Sequence, residues 1–353
     1  MFVRTSLAAF ALTILTACTS FQPTQTTHSL EIYLRDYPGF SGTILIADAD
    51  KVTYSVSYGL ADDNEGRLIA DGDIWRWASV TKQIVAVLVM QEVERGAFIL
   101  TDTVATLAPD FDTEFASVIT VKDLLQHTSG LPNPDRLGPL VAETFEPEAF
   151  CSGAPDDKPG TFFSYNNCDY YVLGRILEQS SGKSWDALLK EKILQPLSML
   201  ETAAMESDLS ETVKGYDSDG VPSQKIDITL FGAAGAIYGN LRDLVKFNNG
   251  LMSGVLLSKD SLTELWKGDP SLGYVALGAW SFEAELQGCP NAIRIIERRG
   301  YIAGIQARNF MFPDTGKSVV VFVNRGDFDF GEIWMGQGFS YDVLSQEVCK
   351  SDK

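Results

Sequence analysis

The chain has 353 residues, 45% of them hydrophobic, enough to bury a large core in one domain or two interleaved ones. Against 28 Lys and Arg stand 47 Asp and Glu, and the net charge of −19 argues against nucleic acid or an anionic membrane surface as partner. Only two histidines, His28 and His127, are present, too few for a His-rich metal site, which removes a zinc hydrolase from consideration.

Residues 1–17 read as an export signal. Arg4 supplies the charged start, and Leu7–Leu15 an apolar run too short to span a bilayer. The segment ends Leu15-Thr16-Ala17-Cys18, which resembles the lipobox of bacterial lipoproteins. That resemblance implies a lipidated Cys18 at the head of the mature chain. With Thr19 rather than Asp following, it also implies a periplasmic protein anchored to the outer membrane, in a host that has one. Residues 18–29 are a polar tether without periodicity. Residues 30–353 are expected to fold, as a sheet lobe of about 30–78 and 270–349 and a helical lobe of about 80–265.

In chain order, Leu30–Tyr37 reads as a helix, and Ser41–Ile46 and Val52–Tyr58 as alternating strands around the turn at Asp48-Ala49-Asp50. Gln83–Arg95 is a helix-length run, apolar on nearly every side and so expected to be buried, closed by Gly96. From about 102 to 265 the pattern is mostly helical with long polar loops. Its clearest helices are Val121–Gln126, Asp169–Ser180, Asp186–Leu194 and Leu241–Met252. Strands return at Leu277–Glu285, Ala292–Arg298, Ile305–Phe312 and Ser318–Asn324, followed by a final helix over about Glu332–Glu347. Strands at both ends imply one sheet built from both chain termini with a helical insert. Beyond Cys18, four cysteines permit two disulfides in three pairings; proximity along the chain favours Cys151–Cys168 and Cys289–Cys349.

Four stretches carry candidate chemistry. Ser79 and Lys82 stand three apart at the start of the buried helix, so the amine lies one turn from the hydroxyl and can take its proton. Tyr165 and Asn167 stand two apart in a loop that, if extended, projects both the same way. A phenol near cations can act as a base, and an amide can both donate to and accept from a substrate peptide bond. Arg298-Arg299-Gly300 closes a strand in which Arg298 and Gly300 share one face. The glycine lets a ligand backbone come close, and the arginine can hold a carboxylate by two N–H bonds. His127-Thr128-Ser129 follows a helix, and we read it as a helix terminator rather than as a base for a serine. The chain contains no Gly-x-Ser-x-Gly elbow.

Together, Ser79-x-x-Lys82, Tyr165-x-Asn167 and the basic strand ending in Gly300, in that order, resemble the active-site serine hydrolases of the class C β-lactamase, D,D-carboxypeptidase (penicillin-binding protein) and esterase group. So do Leu124–Pro132, Pro159-Gly160, Pro196–Met199 and Ala233–Tyr238 ahead of Asp243-Leu244. The likeness runs from about residue 40 to 345. It implies an α+β fold, a mainly antiparallel sheet flanked by helices with an all-helical lobe, the site in the groove between, and no cofactor or metal. It also implies roles: Ser79 as nucleophile, Lys82 and Tyr165 managing its proton and later activating water, Asn167 orienting the substrate amide. The backbone N–H groups of Ser79 and Tyr301 would stabilise the oxyanion. The expected partner is a small-molecule or peptide substrate, β-lactam, D-amino-acid peptide or ester. One departure stands out: the strand motif of the family usually starts with Lys or His, and here Arg298 aligns. Arginine keeps the charge but does not shuttle protons, which suggests a carboxylate-bearing substrate. A shift of one residue would put Arg299 inward instead. A weakened, penicillin-binding lipoprotein of the same fold is the alternative, and a monomer the expectation.

Overall fold

The computed structural model describes residues 25–134 and 146–349. The export signal, Cys18 and part of the loop 132–160 lie outside the described residues.

Period-2 alternation fixes the architecture. In the strands Gly42–Asp48 and Lys317–Val323, Leu45, Ala47, Val320 and Phe322 face one core, while Ile44, Ile46, Val319, Val321 and Val323 face another. A strand buried on both faces needs layers on both sides. The sheet supplies the middle layer. Six antiparallel strands run in the order Lys51–Tyr58, Gly42–Asp48, Lys317–Val323, Ile305–Phe312, Ile293–Ile302 and Trp280–Ala284. Both chain ends therefore contribute to one sheet. On one face lie the terminal helices Gln25–Asp36 and Phe339–Glu347, through Leu30, Leu34, Phe339, Val343 and Leu344. On the other lies the helix Val80–Glu94, with Val121–Gln126, Asn167–Ser181 and Leu241–Met252 around it.

The helix Val80–Glu94 is buried from Val80 through Met90 and again at Glu92. Each fully buried Val, Ile or Leu contributes roughly 1.5–3 kcal/mol, so this element is held from every side and gives its N-terminus a fixed place. Its polar Gln83 is accommodated by the Asn309 amide, which donates to Gln83 Oε1 at 3.0 Å and to Asn248 Oδ1 at 2.8 Å, pinning helix to sheet. Both disulfides, Cys151–Cys168 and Cys289–Cys349, are formed. Among the described residues no helix is long and apolar enough to cross a membrane.

Several boundaries differ from the sequence reading, each for a local reason. The first helix starts at Gln25, not Leu30. The buried helix starts at Val80, which makes Ser79 its N-cap. The strand expected from Leu277 begins at Trp280, because Gly278 turns the chain with φ +81°. The strand expected to end at Arg298 continues through Gly300 to Ile302, paired with Ile305–Phe312. The helical run Asp186–Leu194 splits into Trp185–Leu189 and a wider turn over Lys190–Leu194. The final helix is short: Gly336 and Gly338, at φ +67° and +99°, separate a turn at Ile333–Met335 from the helix Phe339–Glu347.

Candidate active site

Ser79 sits at the N-cap of the buried helix, where a serine usually bonds the first turn. Here its side chain makes no capping bond, which leaves the hydroxyl for other partners. Ala78, just before it, has φ +50° although it is not glycine. Such a left-handed alanine costs about 1–2 kcal/mol, and burial on both sides holds it. The bend turns the serine oxygen into a groove.

Three groups converge on that oxygen or its backbone. Tyr165 Oη donates to Ser79 Oγ at 2.5 Å, and Lys82 Nζ donates to it at 3.1 Å. Arg298 Nε donates to the Ser79 carbonyl at 2.8 Å, and its NH2 group donates to Tyr165 Oη at 3.0 Å. Lys82 is fully buried, and Nζ also donates to Asn167 Oδ1 at 2.6 Å and to the Ala234 carbonyl at 2.8 Å. A buried ammonium needs such acceptors to stay in place.

The phenol lies between two cations. Burial would push Tyr165 up, but the charges of Lys82 and Arg298, and hydrogen bonds with Lys82 and Ser79, outweigh it and hold the phenol below its ordinary value of 10. A phenol so placed gives up its proton more readily than a free tyrosine does.

The strand Ile293–Ile302 settles which arginine points inward. Ile296 and Ile302 face the core that holds the buried helix, and Ile295 faces the other. Arg298 and Gly300 therefore share the site face. Arg299 turns away to Glu297 and Glu332, at 2.6 and 2.7 Å. Gly300 lines the cavity beside Ser79, and it is also constrained from within the fold. An added Cβ would lie 2.8 Å from the Trp77 carbonyl, so the strand packs directly on the bend before Ser79. Tyr301 is exposed at the rim.

Asn167 is the first residue of the helix Asn167–Ser181, and Asn166, not Asn167, caps it by accepting from Cys168 N–H at 2.9 Å. His127, Ser129 and Asp169 meet but form no triad. His127 Nδ1 and Ser129 Oγ each bond to the Asp169 carboxyl, one to each oxygen, and both side chains are buried. Sequence reading missed Asp169, the Ala234 carbonyl and Trp280, whose ring packs 5.4 Å from the Arg298 guanidinium. None of these carries a local signal: an aspartate in a helix's first turn, an alanine, and a strand tryptophan are all ordinary.

Around Ser79 opens a cavity of about 660 Å³. Tyr171, Ile226, Leu230, Phe231 and Pro147 make much of its wall, with the Cys151–Cys168 disulfide alongside. Among the described residues no three His, Cys, Asp or Glu side chains converge as a metal site would require.

Comparison with known proteins gives the same picture. Residues 33–336 match the family model described as Beta-lactamase. The chain is 30% identical to penicillin-binding protein 4 of Amycolatopsis lactamdurans over 47% of its own length and 45% of that protein. It is 28% identical to the esterase EstB of Burkholderia gladioli over 54% of its own length and 53% of the esterase. It thus spans about half the length of these two relatives. A D-amino acid amidase from Ochrobactrum anthropi SV3, solved with L-phenylalanine amide, superposes with a TM-score of 0.78 at 21% identity, covering 92% of this chain and 97% of that one.

Proposed function

The chain belongs to the beta-lactamase family, and from that premise we propose that it is a serine hydrolase forming an acyl-enzyme on Ser79. The observation that carries this reading is the contact of Ser79 Oγ with both the Tyr165 hydroxyl and the Lys82 amine, at 2.5 and 3.1 Å. The Ser79–Tyr165 contact serves in either direction. With the phenol ionised, the serine donates its proton along it as Oγ attacks a carbonyl carbon. The backbone N–H groups of Ser79 and Tyr301 receive the oxyanion, each such donor stabilising it by about 3–4 kcal/mol. The tetrahedral intermediate then expels the amine or alcohol, which takes its proton from Tyr165. Water, deprotonated by the phenolate so formed, attacks the ester carbonyl, and the departing Ser79 oxygen takes that proton back from Tyr165. Lys82 keeps the phenol's proton affinity low throughout and orders Asn167, which we assign to the substrate amide.

Arginine at 298 suggested a carboxylate-bearing substrate. Two of its donor directions go to Ser79 and Tyr165. We therefore give its charge the task of favouring the phenolate, and leave substrate recognition mainly to the apolar wall. The substrate class is an amide or ester with an apolar substituent, β-lactams and D-amino-acid derivatives among them. We also propose export and lipid anchoring through Cys18, on the sequence of residues 1–18. Loss of labelled fatty acid incorporation in Cys18→Ser tests that.

The deciding experiment uses chain lacking residues 1–20 on p-nitrophenyl ester, a chromogenic β-lactam and D-amino-acid amide, beside Ser79→Ala. Multiple turnovers abolished by Ser79→Ala are expected. A stable adduct on Ser79 without turnover would instead leave a penicillin-binding role. Absence of both labelling and turnover would refute the reading.

A further inference from the structure

Tyr165 sits in a loop, and loops alone do not hold a phenol within 2.5 Å of a serine oxygen. The chain on both sides of it is gripped by one residue. The Ser164 N–H donates to the His127 carbonyl at 2.8 Å, and the Asn166 N–H donates to His127 Nδ1 at 3.3 Å. The imidazole also lies against the phenol, ring centroids 4.6 Å apart. His127 ends the helix Val121–Gln126 in the left-handed region, φ +58°, which lets its carbonyl and its ring serve the same neighbouring segment. Its seat is Asp169, whose Oδ2 lies 2.8 Å from Nδ1. Asp169 in turn accepts from Ser129 Oγ, and Ser129 accepts the Leu131 N–H at 3.1 Å. The Asn166 amide donates to the Leu131 carbonyl at 2.6 Å, and that of Asn133 to the Tyr165 carbonyl at 2.7 Å.

Resting on the hydrolase reading above, we propose that His127 is a positioning residue: seated on Asp169, it brackets Tyr165 and fixes the phenol on Ser79. It takes no proton from the substrate or from Ser79.

The bracket is electrically neutral. We assign the tautomer protonated on Nε2: the one lone pair of Nδ1 then takes the Asp169 proton along the 2.8 Å contact and, more weakly, the Asn166 N–H at 3.3 Å. Burial pushes Asp169 well above the carboxylate range, and burial, then the charges of Arg298 and Lys82, hold His127 well below its ordinary value. A neutral pair leaves the field of the two cations to act on Tyr165 undiminished. It also has a chemical equivalent. An asparagine amide can donate to Nδ1 and accept from Ser129, as the protonated acid does.

That equivalence supplies the test. Asp169→Asn should keep kcat within about 3-fold of wild type, whereas Asp169→Ala and His127→Ala should lower it about 30–300-fold with KM nearly unchanged, the loss expected of a reacting group displaced by about an ångström. A carboxylate working as in a Ser-His-Asp relay would instead lose about 10⁴ in kcat in Asp169→Asn, and that result overturns the proposal. Equal losses in Asp169→Asn and Asp169→Ala also overturn it. His127→Asn, which tolerates the left-handed backbone, replaces His127→Ala if that variant fails to fold. A second readout does not need turnover. In protein carrying ¹³Cζ-tyrosine, the resonance absent from Tyr165→Phe should ionise at higher pH in the His127 variants. An unmoved resonance refutes the bracket. A wild type inactive on every substrate refutes the hydrolase reading alone, and the resonance still decides the bracket.

Discussion

Arg298→Gln is the most informative single change at this site. The wild-type guanidinium donates to Tyr165 Oη at 3.0 Å and to the Ser79 carbonyl at 2.8 Å, buried beneath both. A unit charge 3.0 Å from a phenolate oxygen interacts by about 5 kcal/mol at an effective dielectric of about 20. The net effect is smaller, because Lys82 remains and water can reach the groove. A neighbouring cation typically lowers an acid's pKa by about 1–3 units, or roughly 1.4–4 kcal/mol. Removing it raises the Tyr165 phenol. The phenolate is the competent base, so less of it is present at neutral pH, and kcat/KM should fall by about one order of magnitude or more. The sign also fixes the pH profile: activity is lost below the pKa of Tyr165, so the acid limb moves to higher pH and activity recovers as pH rises. Arg298→Lys retains the charge and should keep the limb nearer wild type, while losing one of two directed bonds. The assay is kcat/KM on a p-nitrophenyl ester from pH 5 to 10, with the Ser79→Ala rate subtracted. An Arg298→Gln profile that is merely scaled, with its acid limb unmoved, would refute the assignment of Tyr165 as the base that Arg298 tunes.

Three further outcomes are expected. Lys82→Met removes a buried cation with three acceptors, so kcat and the rate of fluorophosphonate labelling at Ser79 should fall by about two to four orders of magnitude, and urea denaturation should register about 1–3 kcal/mol for each acceptor orphaned. Gly300→Ala places a Cβ 2.8 Å from the Trp77 carbonyl and should destabilise by about 1–3 kcal/mol in thermal unfolding; a neutral result would mean the strand can slide from the Ser79 bend at no penalty. Replacing Cys151 and Cys168 together by serine opens a loop of 17 residues and should cost about 3 kcal/mol in denaturant; since Cys168 follows Asn167, KM for substrates with apolar groups should rise as well.

The groove joins two kinds of element with different tolerances. Ser79, Lys82 and Arg298 stand on a helix and a strand packed into the core, so their mutual geometry follows from the most stable part of the molecule. Tyr165 comes from a loop, and its precision has to be supplied by contacts around it. That division gives a task to the buried polar groups behind the phenol, among them Ser129, Asp169 and Asn166.

Much of this was written locally. The alternation in the strands at both chain ends, the wholly apolar helix after Ser79 and the Ser-x-x-Lys spacing are set by backbone repeats of 2 and 3.6 residues, which depend on neither sheet order nor packing. The residues themselves therefore stated that Lys82 lies one turn from Ser79 and that Arg298 and Gly300 share a face. They left open whether that face or the one bearing Arg299 turns inward, because a period-2 pattern with charge on both faces names no core. Strand pairing decided it. The meeting of Tyr165 with Ser79 spans 86 positions and that of Arg298 with the Ser79 carbonyl 219, distances along the chain at which only tertiary packing sets proximity. The Ala234 acceptor, the Trp77 carbonyl against Gly300 and the bond between His127 and Asp169 belong to the same class. Each depends on where two separately formed elements come to rest, and no local repeat encodes that.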